Sequence, residues 1–216
     1  LDQADVDVMK ATKTCVASQR FHYDYLNDDI SDDGKIDYSL TNKLPESLRM
    51  AIASGKKILV LINPPYAEAM SADNIAGGED NSENKLGVSK TKVANLMDTQ
   101  GYAARELFVQ FLVRIGIEIP NATIAMFSKL KYVNAPNFEK FRNDWNAKYL
   151  DGFVVHSKAF DGLKGDFPIG FLVWTTDQKA REKQPIIEIT TEVLNKDGQP
   201  IGEKHFYNLP NEQLLS

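Results

Sequence analysis

Short, continuous apolar runs alternate along the chain with segments whose apolar residues recur at helical spacing. The clearest run lies in residues 56–62, is too short for a helix and is stopped by an Asn-Pro pair. This pattern predicts a fully buried strand. A second buried strand is predicted at residues 122–127, and further strands at residues 152–160 and 167–176. Helical spacing predicts the clearest helix at residues 101–116, with an apolar stripe formed by Ala104, Leu107, Phe108, Phe111, Leu112 and Ile115.

Start and stop signals mark a second helix at residues 45–54. Pro45 stands at its start, where a missing N–H costs nothing, and Gly55 follows its end. Residues 137–150 are predicted to form a helix that carries four aromatic side chains. Residues 5–18 have mixed periodicity, and we predict a helix there as well.

The remaining segments are predicted to be shorter strands, turns and one long loop. Residues 21–29 predict a short strand that leads into a polar loop. Residues 67–98 are polar over an unusual length, and loops of this length in compact domains often act as lids or binding loops. Residues 185–207 predict a hairpin whose turn lies at Asp197 and Gly198.

The order of these elements predicts an α/β fold. Strands that alternate with helices give a largely parallel sheet, and the terminal hairpin adds antiparallel character. We therefore expect a mostly parallel sheet with an antiparallel C-terminal hairpin, in a single domain that spans residues 1–216.

Composition and charge narrow the classes of function. The chain has 216 residues and a net charge of −5, which counts against a protein whose whole surface grips nucleic acid but leaves room for a local basic groove. The longest apolar run, Ile58–Ile62, falls far short of the roughly 20 residues that a membrane helix needs. A single cysteine, Cys15, excludes an internal disulfide and favours a cytoplasmic location.

The four residues after the first buried strand are the strongest candidate for chemistry. Asn63, Pro64, Pro65 and Tyr66 place an amide, a rigid diproline and an aromatic ring at the end of a strand. The Asn63 side-chain oxygen and the Pro64 carbonyl can each accept one N–H of a planar amino group, and Tyr66 can stack on the attached ring. A plain turn is the alternative interpretation of the same four residues.

The sequence "LINPPY" resembles the catalytic motif of S-adenosylmethionine-dependent amino-methyltransferases, above all adenine-specific DNA methyltransferases of restriction-modification systems. The segment "YDYLNDD" resembles an earlier motif of this family, which implies that Asp24 and Tyr25 hold the adenine of the cofactor. Three further segments fit in order, namely "ARELFVQFLVRIG", "ATIAMFSKLKYV" and "GDFPIGFLVW", so the resemblance covers about residues 20–176. It implies a partial Rossmann-like methyltransferase sheet, and it implies that DNA is the substrate.

The chain departs from the family pattern in one respect. The strand and Gly-rich turn that bind the cofactor in this family are absent upstream of Asp24. The resemblance therefore implies the second half of a catalytic domain, with an upstream cofactor-binding half of the same protein as its partner. We expect the chain alone to bind S-adenosylmethionine poorly and to be inactive. In the implied mechanism, the amino nitrogen of a flipped adenine attacks the methyl group directly.

Other functions stay open at the level of sequence. Similar amino groups are methylated by release-factor glutamine methyltransferases and by RNA base methyltransferases, and a non-catalytic interaction module could keep the same fold. Lys85, Lys90 and Lys92 could contact phosphates. Charged residues in such a loop are more commonly just exposed to solvent. The stretch "DISDDGKID" is predicted to be a surface turn, because Leu40 stands where a calcium loop needs Glu. No metal site is expected.

Overall fold

The computed structural model describes residues 3–64, 91–160, 166–177 and 188–208. The α-helices of this part are α1 Gln3–Ala11, α2 Glu46–Ala53, α3 Lys92–Asn95, α4 Leu107–Glu118, α5 Lys131–Asn134 and α6 Glu139–Asp144. The strands are β1 Ile58–Ile62, β2 Ala122–Lys129, β3 Lys148–His156, β4 Pro168–Thr175, β5 Glu188–Leu194 and β6 Pro200–Tyr207. Short 3-10 helices lie at Asp98–Arg105, Pro136–Phe138 and Ser157–Ala159. The predicted α/β class is therefore confirmed.

The six strands form one mixed sheet in the order β1-β2-β4-β3-β5-β6. Strand β1 is parallel to β2 and β3 is parallel to β5, whereas the β2–β4, β3–β4 and β5–β6 pairs are antiparallel. The prediction of a mostly parallel sheet was wrong. Parallel neighbours need a long crossover such as the one that contains α4, but only residues 157–167 join β3 to β4, and so these strands pair as antiparallel neighbours. The hairpin of β5 and β6 is present as predicted.

Helices α2 to α6 contribute to a core that covers one face of the sheet. The apolar side of α4 packs there with β2 and β4, and the core includes the fully buried residues Phe108, Leu112, Ile124, Met126 and Leu172. Three residues of β1, namely Ile58, Val60 and Ile62, pack against this core. The alternate residues Leu59 and Leu61 point to the opposite face and are 67% and 71% exposed.

The prediction that residues 56–62 form a fully buried strand was therefore wrong. Strand β1 is an edge strand of the described sheet, and only one of its faces is covered. A continuous apolar run shows that both faces of a strand are suited to burial. It does not show which polypeptide segment packs on each of those faces.

Three predicted helices differ in extent from the observed ones. The helix predicted at residues 101–116 is divided, because Glu106 has an extended backbone (φ −95°, ψ 117°) that ends the preceding 3-10 segment, and the regular helix α4 begins at Leu107. In residues 137–150, α6 ends at Asp144 because the chain enters β3 at Lys148. Helix α1 ends at Ala11 and is followed by turns. Helix α2 is confirmed, with Pro45 as its N-cap and Gly55 at φ +64° after its end.

Two other segments also differ from the prediction. Residues 21–24 have no regular secondary structure and residues 25–29 form turns, so the predicted short strand is absent. The end of the predicted loop at residues 67–98 contains α3, whose N-cap Thr91 accepts a hydrogen bond from the backbone of Ala94, while residues 67–90 lie outside the described residues. In the part of the chain that the structure describes, no helix is both long and apolar enough to cross a membrane.

Candidate functional site

The candidate site is the corner that follows β1. Strand β1 runs parallel to β2, with Ile58 opposite Ala122 and Ile62 opposite Met126, and it ends immediately before Asn63. Pro64 has no N–H with which to continue the ladder, so the strand stops there. Asn63 is exposed, and Pro64 is buried. The chain thus presents a polar side chain at the surface from a backbone that a buried proline holds in place.

The other two residues of the predicted catalytic motif, Pro65 and Tyr66, lie outside the described residues. The same holds for two of the predicted phosphate contacts, Lys85 and Lys90. Their roles stay predictions.

The start of α4 also lies at the carboxyl end of β1. Because α4 joins two parallel strands, it runs back across the sheet, and its first turn lies at the edge where both strands end. Two fully buried polar residues lie at this turn, Glu106 and Gln110. The Glu106 carboxylate accepts a hydrogen bond from the Lys131 ammonium at 3.0 Å, which ties the start of α4 to the residues just after β2.

Gln110 holds Thr91, the first described residue after the corner. Its side-chain oxygen accepts a hydrogen bond from the Thr91 hydroxyl at 2.7 Å, and its side-chain nitrogen donates to the Ala104 carbonyl at 2.7 Å. Sequence reasoning missed Glu106 and Gln110 as site-forming residues. The available signal was two polar residues within the apolar stretch of a predicted helix.

Asp24 and Tyr25, the predicted cofactor contacts, lie in a turn packed on α4. The exposed Asp24 carboxylate accepts hydrogen bonds from the Leu26 backbone at 3.1 Å and from the Asn27 side chain at 2.8 Å. The Tyr25 ring stacks on Phe111 with centroids 5.7 Å apart. Both side chains therefore have structural contacts within the chain, and a role in cofactor binding stays a prediction.

Arg114 anchors this turn to α4. Its fully buried guanidinium donates to the Glu118 carboxylate at 3.1 Å, to the Tyr23 hydroxyl at 2.8 Å and to the Asp28 carbonyl at 2.8 Å. It also donates to the Tyr25 carbonyl, and it lies 4.3 Å from the centroid of the Tyr25 ring. Sequence reasoning missed this network, although an Arg and a Glu four residues apart on the buried side of a helix are an unusual pattern.

The ionisation states of the network follow from its surroundings. Burial raises the pKa of the Tyr23 phenol well above its ordinary value, so Tyr23 stays neutral and donates to the Asp29 carboxylate at 2.9 Å. Burial is the largest influence and by itself would lower the pKa of Arg114, but the Glu118 carboxylate and the neighbouring Tyr23 and Tyr25 together raise that pKa above its ordinary value. The turn that carries Asp24 is thus held by a buried cation.

Lys92, the third predicted phosphate contact, is used to hold the neighbouring turn. Its ammonium donates to the Ile30 carbonyl at 2.8 Å and lies 3.9 Å from the Asp32 carboxylate. Its backbone N–H donates to the Asn27 side-chain oxygen at 3.0 Å. These contacts join Lys92, the first residue of α3, to residues 27–32, and a phosphate contact by this residue stays a prediction.

Comparison with known proteins gives no family assignment. No family model and no curated protein matches the chain. Its resemblance to solved structures is weak, as three examples show. A cryo-EM DrdV–DNA complex is 13% identical over 74% of this chain and 17% of that chain, with a TM-score of 0.39. The ATP-dependent Type ISP restriction-modification enzyme LlaBIII bound to DNA is 12% identical over 79% of this chain and 12% of that chain, with a TM-score of 0.41.

The third structure is a nuclease-deletion mutant of the Type ISP restriction-modification enzyme LlaGI in complex with a DNA substrate mimic. It is 12% identical over 71% of this chain and 16% of that chain, with a TM-score of 0.39. The chain thus spans less than a fifth of the length of each of these proteins. Likeness at this level of identity and superposition supports no conclusion about the function of this chain.

Proposed function

We propose that this chain contributes to methyl transfer from S-adenosylmethionine to the exocyclic amino group of adenine in DNA, as part of a restriction-modification methyltransferase. Asn63, Pro64, Pro65 and Tyr66 are the proposed catalytic residues. The observation that carries the proposal is the exposed Asn63 amide, followed by a buried proline, at the carboxyl end of a parallel strand. Ligands of open α/β sheets bind beyond such strand ends.

The corner is suited to holding a planar amino group. The Asn63 side-chain oxygen and the Pro64 carbonyl are acceptors, and together they can accept the two N–H bonds of an adenine NH2 group. Accepting both bonds keeps the nitrogen lone pair out of the ring's π system and available for attack. Acceptors that are in place before the substrate arrives stabilise the developing charge without reorganisation.

The described residues do not complete a site for S-adenosylmethionine. S-adenosylmethionine supplies an electrophilic methyl group when it is bound, so it must be held opposite the corner. The Asp24 carboxylate already accepts hydrogen bonds within its own turn, and the Tyr25 ring already contacts Phe111 and Arg114. The proposal therefore assigns the rest of the cofactor site to an upstream half of the same protein, in a Rossmann-like sheet.

The uncovered side of β1 supports a missing half. Leu59 and Leu61 are large apolar side chains that remain mostly exposed, and the outer edge of β1 has no neighbour among the described strands. Exposed apolar patches and unpaired edges mark places where another polypeptide packs. A further strand beside β1, with a layer of helices over Leu59 and Leu61, would bury both features.

Replacing Leu61 by alanine tests this cover. In this chain alone, the free energy of unfolding should change by less than about 0.5 kcal/mol, because the side chain is already exposed. In a polypeptide that includes the upstream half, the same replacement should cost about 2–5 kcal/mol, as for a buried leucine. Urea unfolding of both proteins measures the two values. Equal, small changes in both would refute the proposed packing.

The identity of the methylated product tests the proposed function. The protein with its upstream half is incubated with DNA and S-adenosylmethionine, and the nucleosides are analysed by mass spectrometry. We expect N6-methyladenine. Methylated glutamine in a protein substrate, or a methylated base in RNA only, would instead support one of the other amino-methyltransferases. Transfer to no substrate would leave an interaction module as the better description.

A further inference from the structure

Two cations lie near the ring of Tyr102, and a third lies beside the neighbouring Gly101. Lys131 comes two residues after the end of β2, whose carboxyl end lies beside that of β1. Arg105 comes two residues before α4, whose first turn lies at the same edge. We call Arg105, Lys131 and Lys140, together with the ring of Tyr102, the cationic patch.

The contacts place these side chains together. The Arg105 guanidinium carbon and the Lys131 ammonium each lie 5.9 Å from the centroid of the Tyr102 ring. The side chain of Lys140 lies beside Gly101, since its Cδ is 3.9 Å from the position that a Cβ at Gly101 would take. The Tyr102 ring is itself held edge-on against Phe138, with centroids 5.6 Å apart.

The patch keeps an excess of positive charge. Lys131 is paired with the buried Glu106 carboxylate at 3.0 Å, so this cation has a structural partner. Arg105 and Lys140 are exposed, and neither forms an ion pair within the part of the chain that the structure describes. Arg105 beside the Tyr102 ring and Lys140 beside Gly101 thus add positive charge at this place in a chain whose net charge is −5.

We propose that the cationic patch binds the backbone phosphates of DNA next to the base held at Asn63. Arg105 and Lys140 make the phosphate contacts, and Lys131 together with Glu106 holds the ring of Tyr102 and the start of α4 in place. Phosphate contacts of this kind position a nucleic acid without reading its sequence. This inference rests on the proposed function, because it assumes that the substrate at Asn63 is DNA.

Salt-dependent binding of a fluorescein-labelled DNA duplex, measured by anisotropy, tests the patch. The test variant is Arg105→Ala with Lys140→Ala, which leaves the buried Glu106 paired. The matched control is Lys148→Ala with Lys196→Ala, which removes two exposed lysines. Lys148 is the first residue of β3, at the end of the sheet opposite to Asn63, and Lys196 lies in the β5–β6 turn. Urea unfolding confirms that each variant folds like the wild type.

Each phosphate contact contributes about 0.9 to the slope of log K against log salt, so the test variant should lose roughly 2 from that slope, on any DNA sequence. The control should keep the wild-type slope. An unchanged slope in the test variant, an equal loss in the control, or no binding of the duplex by the wild-type chain would each overturn the inference.

The proposed function can fail separately. DNA binding through the patch without N6-methyladenine formation would refute the methyl transfer and leave the patch intact. Conversely, methyl transfer that depends on Asn63 but not on Arg105 and Lys140 would refute the patch alone.

Discussion

Replacing Arg114 by methionine is expected to destabilise the protein by about 3–5 kcal/mol. The guanidinium is fully buried and joins α4 to the backbone of residues 25 and 28 and to the Tyr23 hydroxyl. Methionine fills much of the same space but donates no hydrogen bond. The Glu118 carboxylate, whose side chain is 2% exposed, would then be buried without its cation. Urea unfolding followed by the fluorescence of the buried tryptophans Trp145 and Trp174 measures the loss.

A double variant separates the buried charge from the other contacts. In Arg114→Met with Glu118→Met, no unpaired carboxylate is left, so the double variant should be more stable than Arg114→Met alone. A single variant within about 1 kcal/mol of the wild type would contradict the anchoring role given to Arg114. A double variant no more stable than the single one would show that the carbonyl and hydroxyl contacts carry the effect.

Replacing Asn63 by alanine is expected to lower the rate of methyl transfer at least about a hundredfold, or roughly 3 kcal/mol, as for other preorganised polar groups. Alanine removes the side-chain acceptor and leaves the Pro64 carbonyl to hold the amino group alone. Since Asn63 is exposed, the free energy of unfolding should change by less than about 1 kcal/mol. Asn63→Asp keeps an acceptor oxygen at the same place and should therefore lose less activity than Asn63→Ala.

The fold was predictable where local signals decide it. Pro45 and Gly55 bound α2 as expected, and the turn at Asp197 and Gly198 joins β5 to β6. The arrangement of the strands was not predictable in the same way. Nothing in the local pattern of residues 168–175 shows that β4 inserts between β2 and β3, because strand order depends on packing between distant segments.

The site was predictable only at its corner. The Asn-Pro pair at the end of an apolar run located Asn63 at a strand end, which the structure bears out. Two other features depend on three-dimensional neighbours. Arg114 looks like an interruption of an apolar helix until residues 23–29 are placed against it. Arg105 and Lys131 are 26 positions apart in sequence (131 minus 105) and meet only at the ring of Tyr102.

Single-turnover transfer of the methyl group to adenine, at saturating DNA, measures most directly what Asn63 contributes. The wild type, Asn63→Ala and Asn63→Asp are compared in a protein that includes the proposed upstream half, with N6-methyladenine quantified by mass spectrometry. We expect Asn63→Ala to fall at least about a hundredfold below the wild type, with Asn63→Asp between them and DNA affinity unchanged. Near-normal transfer by Asn63→Ala would contradict the proposed role of this corner.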